Sequence, residues 1–168
     1  MLKKFIPDFY YDNISCINLD ILKEKGIQFV ICDIDNTLDS HNVPRPSDKA
    51  IAFLKKLEDY GFTVCIISNG KHERVKEYLT DYSLEYIAKA GKPLKKSYIK
   101  AMNKIGADAN SCAFIGDQIF TDILGANIMG LTSILVTPIE QYENAFFYLK
   151  RVLEKIVISK ITKEWFYV

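Results

Sequence analysis

Residues 28–38 have the sequence QFVICDIDNTL. Residues 28–32 form a largely apolar run, β-branched in part, which predicts a strand buried on both faces inside a parallel sheet. Two carboxylates, Asp33 and Asp35, follow where this strand ends. An unpaired buried carboxylate is costly or becomes protonated, so a cation must lie beside them. Because strand alternation turns both side chains to one side, the pattern predicts a hard divalent cation such as Mg²⁺, with a phosphate as a further ligand.

An isolated Asp-x-Asp pair is more often two solvated turn carboxylates, so the other segments of the chain decide its interpretation. Four further apolar runs predict strands separated by helices, at residues 62–69, 84–88, 111–117 and 131–136. This alternation indicates an α/β fold, a three-layer doubly wound parallel sheet of the Rossmann-like kind with right-handed crossovers. Ligand crevices in such sheets lie beyond the carboxyl ends of the strands.

Polar residues stand at several of these predicted strand ends. Ser68 and Asn69 close the second strand ahead of a helix, where a hydroxyl and an amide are suited to bind a phosphate; a simple capped turn is the alternative. Lys92 lies before a proline at a strand-to-helix junction. Asp117 ends the fourth strand, and Asp122 follows five residues later. The predicted topology allows all of these groups to converge on one site with Asp33 and Asp35.

The composition is that of a globular protein, with 49% hydrophobic and 26% charged residues in 168, and the length predicts a single domain over residues 1–168. We expect a core over about residues 27–138, an N-terminal lead-in over 1–26, and a C-terminal basic amphipathic helix and tail over 140–168. The formal net charge of +1 argues against a strongly electrostatic nucleic-acid binder, and no nucleic-acid partner is expected.

The cysteines and the hydropathy of the sequence indicate the cellular compartment. The four cysteines, which include no Cys-x-x-Cys pair, predict small buried thiols in a reducing compartment; they are Cys16, Cys32, Cys65 and Cys112. The sequence lacks the apolar stretch of a signal peptide and any run long enough to span a membrane. We therefore expect a cytoplasmic protein, at most peripheral to a membrane.

For each end of the chain, contact with a membrane is one of two interpretations. Packing over a sheet edge is the favoured interpretation of the lead-in, and an interfacial lipid contact is the alternative. The predicted C-terminal helix has one apolar face, while its other side carries Lys150, Arg151, Lys155, Lys160 and Lys163 against Glu154 and Glu164. A solvated face is favoured there, and contact with an anionic membrane surface is the alternative.

The sequence DIDNTL after an apolar strand resembles the opening motif of the haloacid dehalogenase-like hydrolases, and the later polar positions match that family's other motifs in order. In its phosphatases the first aspartate attacks phosphorus and becomes an aspartyl phosphate, and the second is general acid and then base. The resemblance implies these roles for Asp33 and Asp35, with the backbone carbonyl of Asp35 also on the metal.

The later motifs carry further implied roles. Ser68 would bind the phosphate, and Asn69 is a secondary candidate for phosphate or substrate contact. Lys92 would neutralise the nucleophile and the phosphate together. Asp117 would join Asp33 and Asp35 as a ligand of Mg²⁺, and Asp122 would orient Lys92 or a metal-bound water.

No cap domain is predicted over this site. Residues 39–46 form only a short proline-bearing loop, and residues 70–91 have room for one helix and one strand. His41 is expected to be an ordinary loop residue, with substrate contact as the alternative. With neither of the superfamily's cap insertions, the chain cannot enclose a small metabolite by itself. A capless site suits a phosphate displayed on something large, such as a lipid headgroup.

The chain also resembles the YqeG-type phosphatases of subfamily IIIA, through LKKFIPD (residues 2–8), DIDNTL, SN (68–69), GKP (91–93) and GDQIFTDILGAN (116–127). That branch is tied to phosphatidylglycerophosphate phosphatase activity. The resemblance implies a Mg²⁺-dependent phosphomonoesterase that forms phosphatidylglycerol at a membrane face. A phosphatase of a soluble sugar phosphate, a nucleotide or a phosphorylated macromolecule is the second hypothesis. A non-catalytic domain that binds Mg²⁺ or accepts a phosphoryl group is the third.

Overall fold

The computed structural model describes residues 2–41, 43–140 and 154. Its strands are β1 Phe9–Tyr11, β2 Phe29–Cys32, β3 Thr63–Ile67, β4 Glu85–Ile87, β5 Cys112–Gly116 and β6 Thr132–Val136. They form one sheet in the order β1-β6-β5-β2-β3-β4, and every neighbouring pair is parallel. The predicted α/β class with a parallel sheet is confirmed.

Helices cover both faces of the sheet. They are α1 Leu19–Glu24, α2 Asp48–Asp59, α3 His72–Tyr78, α4 Lys95–Ile105 and α5 Leu124–Met129, with 3₁₀ turns at Leu2–Phe5 and Ile14–Cys16 and a π-helical turn at Ile119–Ile123. Alternate residues of a strand point to opposite faces. Val30 and Cys32 accordingly pack in the core with α1, α2 and α3, whereas Ile31 packs in a second core with α4 and α5. The result is the predicted three-layer sandwich.

The N-terminal segment supplies a sixth strand where five were expected. Strand β1 pairs with β6 at the sheet edge, and the segment before it is tied to the core as well. Asp8 Oδ2 accepts the Ser133 N–H at 2.7 Å, and Asn127 Nδ2 donates to the carbonyl oxygen of Ile6 at 2.8 Å. Three residues flanked by polar positions are too short to show a strand pattern, and only the pairing with β6 makes them one.

The register of the central strands brings the predicted site residues together. Cys32 at the end of β2 lies beside Ile66 of β3 on one side and Ile115 of β5 on the other. Asp33, Ser68 and Asp117 therefore leave the sheet at the same edge, as expected for a site beyond the carboxyl ends of parallel strands.

The connections at this edge are short. Residues 33–47 join β2 to α2, and α3 is the only helix between β3 and β4. Over the described part of these two connections there is no inserted cap domain, in agreement with the prediction from sequence. Within the described residues, neither of these connections covers the edge that carries the site.

Apart from Glu140 and Glu154, the predicted C-terminal helix and tail lie outside the described residues. Glu154 was expected on the polar, solvated side of that helix, and this expectation is wrong. Its carboxylate is 2% exposed and accepts the N–H of Ile119 at 3.0 Å, at the start of the π-helical turn. Among residues 2–41, 43–140 and 154, no helix combines the length and hydrophobicity needed to cross a bilayer.

The cysteines in the apolar runs behave as predicted, and the fourth does not. Cys32, Cys65 and Cys112 are free and buried. Burial raises the pKa of the Cys65 and Cys112 thiols to about 12, which keeps them protonated and unreactive at neutral pH. Cys16 is free and exposed instead, because the 3₁₀ turn that contains it directs Ile14 to the core.

Close packing between α4 and α5 depends on Gly125. A Cβ atom there would lie 2.1 Å from the Tyr98 hydroxyl, which donates to the carbonyl of Thr121 at 2.9 Å.

We expect Gly125→Ala to lower the free energy of unfolding by about 1–3 kcal/mol through overpacking, measured by urea denaturation. Asn103→Ala, on the exposed side of α4, should change it by less than about 0.5 kcal/mol. Equal stability of the two variants would contradict this packing.

Candidate active site

A buried lysine lies at the centre of the site. Lys92 Nζ is 2.7 Å from Asp33 Oδ1 and 2.8 Å from Asp122 Oδ1, and it donates to the carbonyl of Ile67 at 3.4 Å. The lysine side chain is 3% exposed. An ammonium group can lie so deep in a protein because two carboxylates compensate for its lost hydration.

This arrangement shifts the proton affinities of both partners. Burial alone would lower the pKa of Lys92, but the Asp122 and Asp33 carboxylates outweigh it and raise that pKa well above its usual range. Lys92 is therefore a permanent cation. Burial raises the pKa of Asp33, the Lys92 ammonium opposes this, and the Asp122 and Asp117 charges add to the increase. Further positive charge at the site would favour the ionised form of Asp33, which a nucleophile needs.

Three buried aspartates form a cluster suited to a metal ion. Asp33, Asp117 and Asp122 each place a carboxylate oxygen within 4.8 Å of the other two, and the three residues are at most 3% exposed. The three carboxylates carry three formal negative charges, and the Lys92 ammonium contacts two of them, those of Asp33 and Asp122. Carboxylate oxygens are the ligands that hard divalent cations prefer. The residues present therefore fit a divalent cation in both charge and donor type.

Two neighbouring residues explain how the cluster is built. Thr37 Oγ1 donates to Asp117 Oδ1 at 3.3 Å, which links the loop after β2 to the end of β5. Gly116 ends β5 directly beside Asp122, where an added Cβ would lie 2.5 Å from Asp122 Oδ2. That oxygen accepts the N–H of Gln118 at 3.1 Å. The glycine of the Gly-Asp pair is thus required by close approach of the Asp122 side chain.

Asp35 faces a different set of groups. Arg74 Nη2 lies 2.6 Å from Asp35 Oδ1, and Arg74 Nη1 donates to Oδ2 at 3.2 Å. Ser68 Oγ donates to Oδ2 at 3.4 Å, and His41 Nδ1 lies 3.2 Å from Oδ1. The side-chain oxygens of Asp35 are not among those of the aspartate cluster, so a place for Asp35 on a metal would fall to its backbone carbonyl, as the resemblance implied.

Ser68 and Asn69 hold loops together around the site. Ser68 Oγ accepts the N–H of Gly70 at 2.9 Å while it contacts Asp35. Asn69 Oδ1 accepts the backbone N–H of Lys92 at 2.9 Å, so it fixes the loop that carries the lysine. Contact of either side chain with a phosphate remains a prediction.

The loop after β2 has its own supports. Asn36 adopts a left-handed backbone with φ of 62°, its N–H donates to the carbonyl of Asp39 at 2.6 Å, and its Oδ1 accepts the N–H of Glu140 at 3.2 Å. The Asp39 carboxylate is buried and accepts from the Tyr78 hydroxyl at 2.5 Å and from the N–H of Ser47 at 3.0 Å. The loop is therefore anchored to α2, to α3 and to the segment after β6.

Sequence reasoning missed three of these residues and did not anticipate the contact that a fourth makes with Asp35. Arg74 and Asp39 had no assigned role, Thr37 was only part of a motif, and His41 was expected to be an ordinary loop residue. A sequence signal exists for Arg74 alone: it is a lone arginine four residues after Gly70, on the first turns of a helix that starts at the site edge. The others depend on contacts across 6 to 80 positions, which no local pattern reveals.

Comparison with known proteins places this geometry in a family. A family model described as haloacid dehalogenase-like hydrolase matches residues 40–130. The chain is also 33% identical over 165 residues to "Probable phosphatase YqeG" of Bacillus subtilis (strain 168), with 98% of this chain and 96% of that protein covered. This chain is a haloacid dehalogenase-like hydrolase. It belongs to the YqeG-type branch, as its motifs predicted.

Solved structures of haloacid dehalogenase-like phosphatases share the fold. The HAD phosphatase from Thermococcus onnurineus superposes with a TM-score of 0.56 at 15% identity, over 76% of this chain and 98% of that one. The cobalt-bound deoxy-D-mannose-octulosonate 8-phosphate phosphatase YrbI from Haemophilus influenzae gives 0.51 at 18% identity, over 87% and 96%. At these identities the likeness concerns the fold alone.

Family membership makes the chain a phosphatase-type hydrolase, and phosphatases of this family generally use a divalent metal.

The charge balance of the site predicts that Lys92 is needed for stability. Lys92→Met would leave Asp33 and Asp122 buried without their cation, so we expect the free energy of unfolding without metal to fall by about 3–5 kcal/mol. Chemical denaturation in EDTA measures this. Lys100→Met, which removes an exposed lysine of α4, should have an effect below about 0.5 kcal/mol. Adding Asp33→Asn to Lys92→Met should restore part of the loss, and equal stability of the two lysine variants would contradict the prediction.

The aspartate cluster predicts stabilisation by divalent cations. Mg²⁺ at about one hundred times its dissociation constant should add about 2.7 kcal/mol to the free energy of unfolding, and the melting temperature should rise accordingly. Asp117→Asn should lose most of this increase, while Asp12→Asn, an exposed residue remote from the cluster in sequence, should keep it. If the melting temperature of the unaltered protein does not change on addition of Mg²⁺, this would argue against a metal at this cluster.

Proposed function

We propose that the protein is a Mg²⁺-dependent phosphomonoesterase that forms an aspartyl phosphate on Asp33. The observation that carries this proposal is the position of Asp33 at the end of the central strand, 2.7 Å from the Lys92 ammonium and beside Asp117 and Asp122. An aspartate is a usable nucleophile toward phosphorus only if positive groups offset the phosphoryl charge and attack is in line. The site offers such a group already in Lys92.

In the proposed reaction, Asp33 is the nucleophile and Asp35 is the general acid and base. An oxygen of Asp33 attacks phosphorus while the bond from phosphorus to the substrate's alcohol oxygen breaks, and the Asp35 carboxyl gives its proton to that oxygen. Asp35 then takes a proton from water, whose oxygen attacks phosphorus and breaks the bond to Asp33. Inorganic phosphate leaves and both carboxyl groups return to their starting states. Lys92 stays protonated throughout and offsets the charge on Asp33 and on the phosphoryl oxygens.

The metal would be held by Asp33, Asp117 and the backbone carbonyl of Asp35. When bound, it supplies positive charge that stabilises the phosphoryl group in the transition state. Asp122, which contacts Lys92 at 2.8 Å, would keep the ammonium group directed at Asp33. Ser68, whose hydroxyl lies between Asp35 and the N–H of Gly70, would contact a phosphoryl oxygen, and Asn69 is a secondary candidate for this contact.

For the substrate we propose a phosphate on a lipid, phosphatidylglycerophosphate, which would be converted to phosphatidylglycerol. The absence of a cap over the described connections supports a substrate whose bulk stays outside the site. Leu94, two residues after Lys92, is 67% exposed, and the exposed Lys95 and Lys96 follow it. An apolar side chain beside cations suits an anionic bilayer surface. The proposed location is the cytoplasm, with peripheral contact to a membrane; a soluble or macromolecular phosphomonoester is the alternative substrate.

Phosphate release from phosphatidylglycerophosphate in mixed micelles tests this proposal, beside a panel of soluble phosphomonoesters. We expect release from the lipid that stops in EDTA, and a loss of at least about a thousandfold in Asp33→Asn, which lacks the nucleophile. The variant's melting temperature should show an intact fold. Release from soluble esters only would retain the mechanism and overturn the lipid assignment, whereas full activity of Asp33→Asn would remove Asp33 as nucleophile.

A further inference from the structure

Arg74 forms a two-point contact with the carboxylate assigned to acid and base catalysis. Its Nη2 lies 2.6 Å from Asp35 Oδ1, and its Nη1 donates to Oδ2 at 3.2 Å. The two side chains are 20% and 15% exposed, so the pair lies at the mouth of the site between the buried cluster and solvent. Paired guanidinium and carboxylate groups of this kind are specific and strong.

The guanidinium group retains capacity for a further anion. An arginine has five N–H donors; Nη2 of Arg74 already contacts Asp35, whereas its Nε is buried without a hydrogen bond to the described residues. Gly70 leaves the space that the group occupies, since a Cβ there would lie 3.3 Å from Nη1. Buried donors without acceptors are costly, so the arrangement favours an incoming acceptor.

The ion pair with Arg74 also conflicts with the proposed role of Asp35 in acid and base catalysis. Both carboxylate oxygens of Asp35 are engaged by Arg74, while Ser68 and His41 approach them at 3.4 and 3.2 Å. Asp35 must nevertheless turn one oxygen toward the alcohol oxygen that leaves phosphorus. Loosening of the Arg74 contact would free one of these oxygens for that proton transfer, and a competing anion beside the leaving group would favour the exchange.

We propose that Arg74 binds a second anionic group of the substrate, carried on the leaving alcohol close to the phosphate that is cleaved. The inference rests on the proposed phosphomonoesterase function and narrows its substrates to esters with an added anion, of which a phosphodiester is the representative case. Binding of that group moves Arg74 from Asp35 to the substrate and leaves Asp35 directed at the leaving oxygen. Arg74 is thus a residue of substrate specificity.

Two water-soluble esters of related structure test the proposal: glycerol phosphate, whose alcohol is neutral, and glycerophosphoglycerol phosphate, whose alcohol carries a phosphodiester. We expect kcat/KM of the unaltered protein to be at least about tenfold higher for the second ester, because charged hydrogen bonds are worth about 1.5–3 kcal/mol. Arg74→Gln should bring this ratio to within about twofold of one, and Arg74→Lys should retain part of it. The matched control Lys71→Gln, which removes an exposed cation from the neighbouring loop, should keep the full ratio.

A purely structural role for Arg74 predicts another pattern. If Arg74 only positions Asp35, Arg74→Gln lowers kcat/KM equally for both esters and the ratio stays, which would overturn the proposal. A ratio near one in the unaltered protein would overturn it as well.

Binding separates failure of this inference from failure of the proposed function. Glycerophosphoglycerol, which has the diester and no monoester to cleave, can be titrated by calorimetry in the presence of Mg²⁺ whether or not any ester is hydrolysed. We expect binding to weaken at least about tenfold in Arg74→Gln and to persist in Lys71→Gln. Equal binding by all three proteins, or none by the unaltered one, would refute the Arg74 site even if the enzyme is an active phosphatase.

Discussion

The ion pairs of one buried ammonium group determine how this site is organised. Lys92 Nζ lies between Asp33 and Asp122, at the edge where the central strands end. Neither carboxylate can stay charged in that environment without a cation close by, and Lys92 cannot stay buried without them. Asp117 adds a third buried carboxylate to the cluster. Three buried carboxylates so close together would destabilise an ordinary core, but their oxygens are suited to a divalent cation.

Hydrogen bonds between loops fix the relative positions of the residues in that charged cluster. Thr37 joins the first loop to Asp117, Asn69 joins the second loop to the backbone of Lys92, and Asp39 joins the first loop to Tyr78 of α3. Each bond connects segments that leave different strands of a rigid sheet. Loops on a rigid scaffold can hold reacting groups at fixed distances, which positioning and electrostatic catalysis both require.

The site has two halves with different chemistry. The inner half contains Asp33, Lys92 and the other buried aspartates and is suited to a metal and the phosphoryl group. The outer half contains Asp35 with Arg74 and His41 and is partly exposed. In the proposed reaction, this half would contact the alcohol part of the substrate.

Much of this could be predicted from the sequence, because the deciding patterns are local. Apolar runs between helical segments specify a parallel sheet, and polar residues at the ends of those runs must gather at one edge. This reasoning identified the α/β class and brought Asp33, Ser68, Lys92 and Asp117 to one place. The tertiary structure alone decided that Phe9–Tyr11 adds an edge strand, that Glu154 is buried against Ile119, and that Arg74 pairs with Asp35. Such contacts join residues 35 or more positions apart, and their partners are set by the packing of elements, for which a single sequence has no periodic signal.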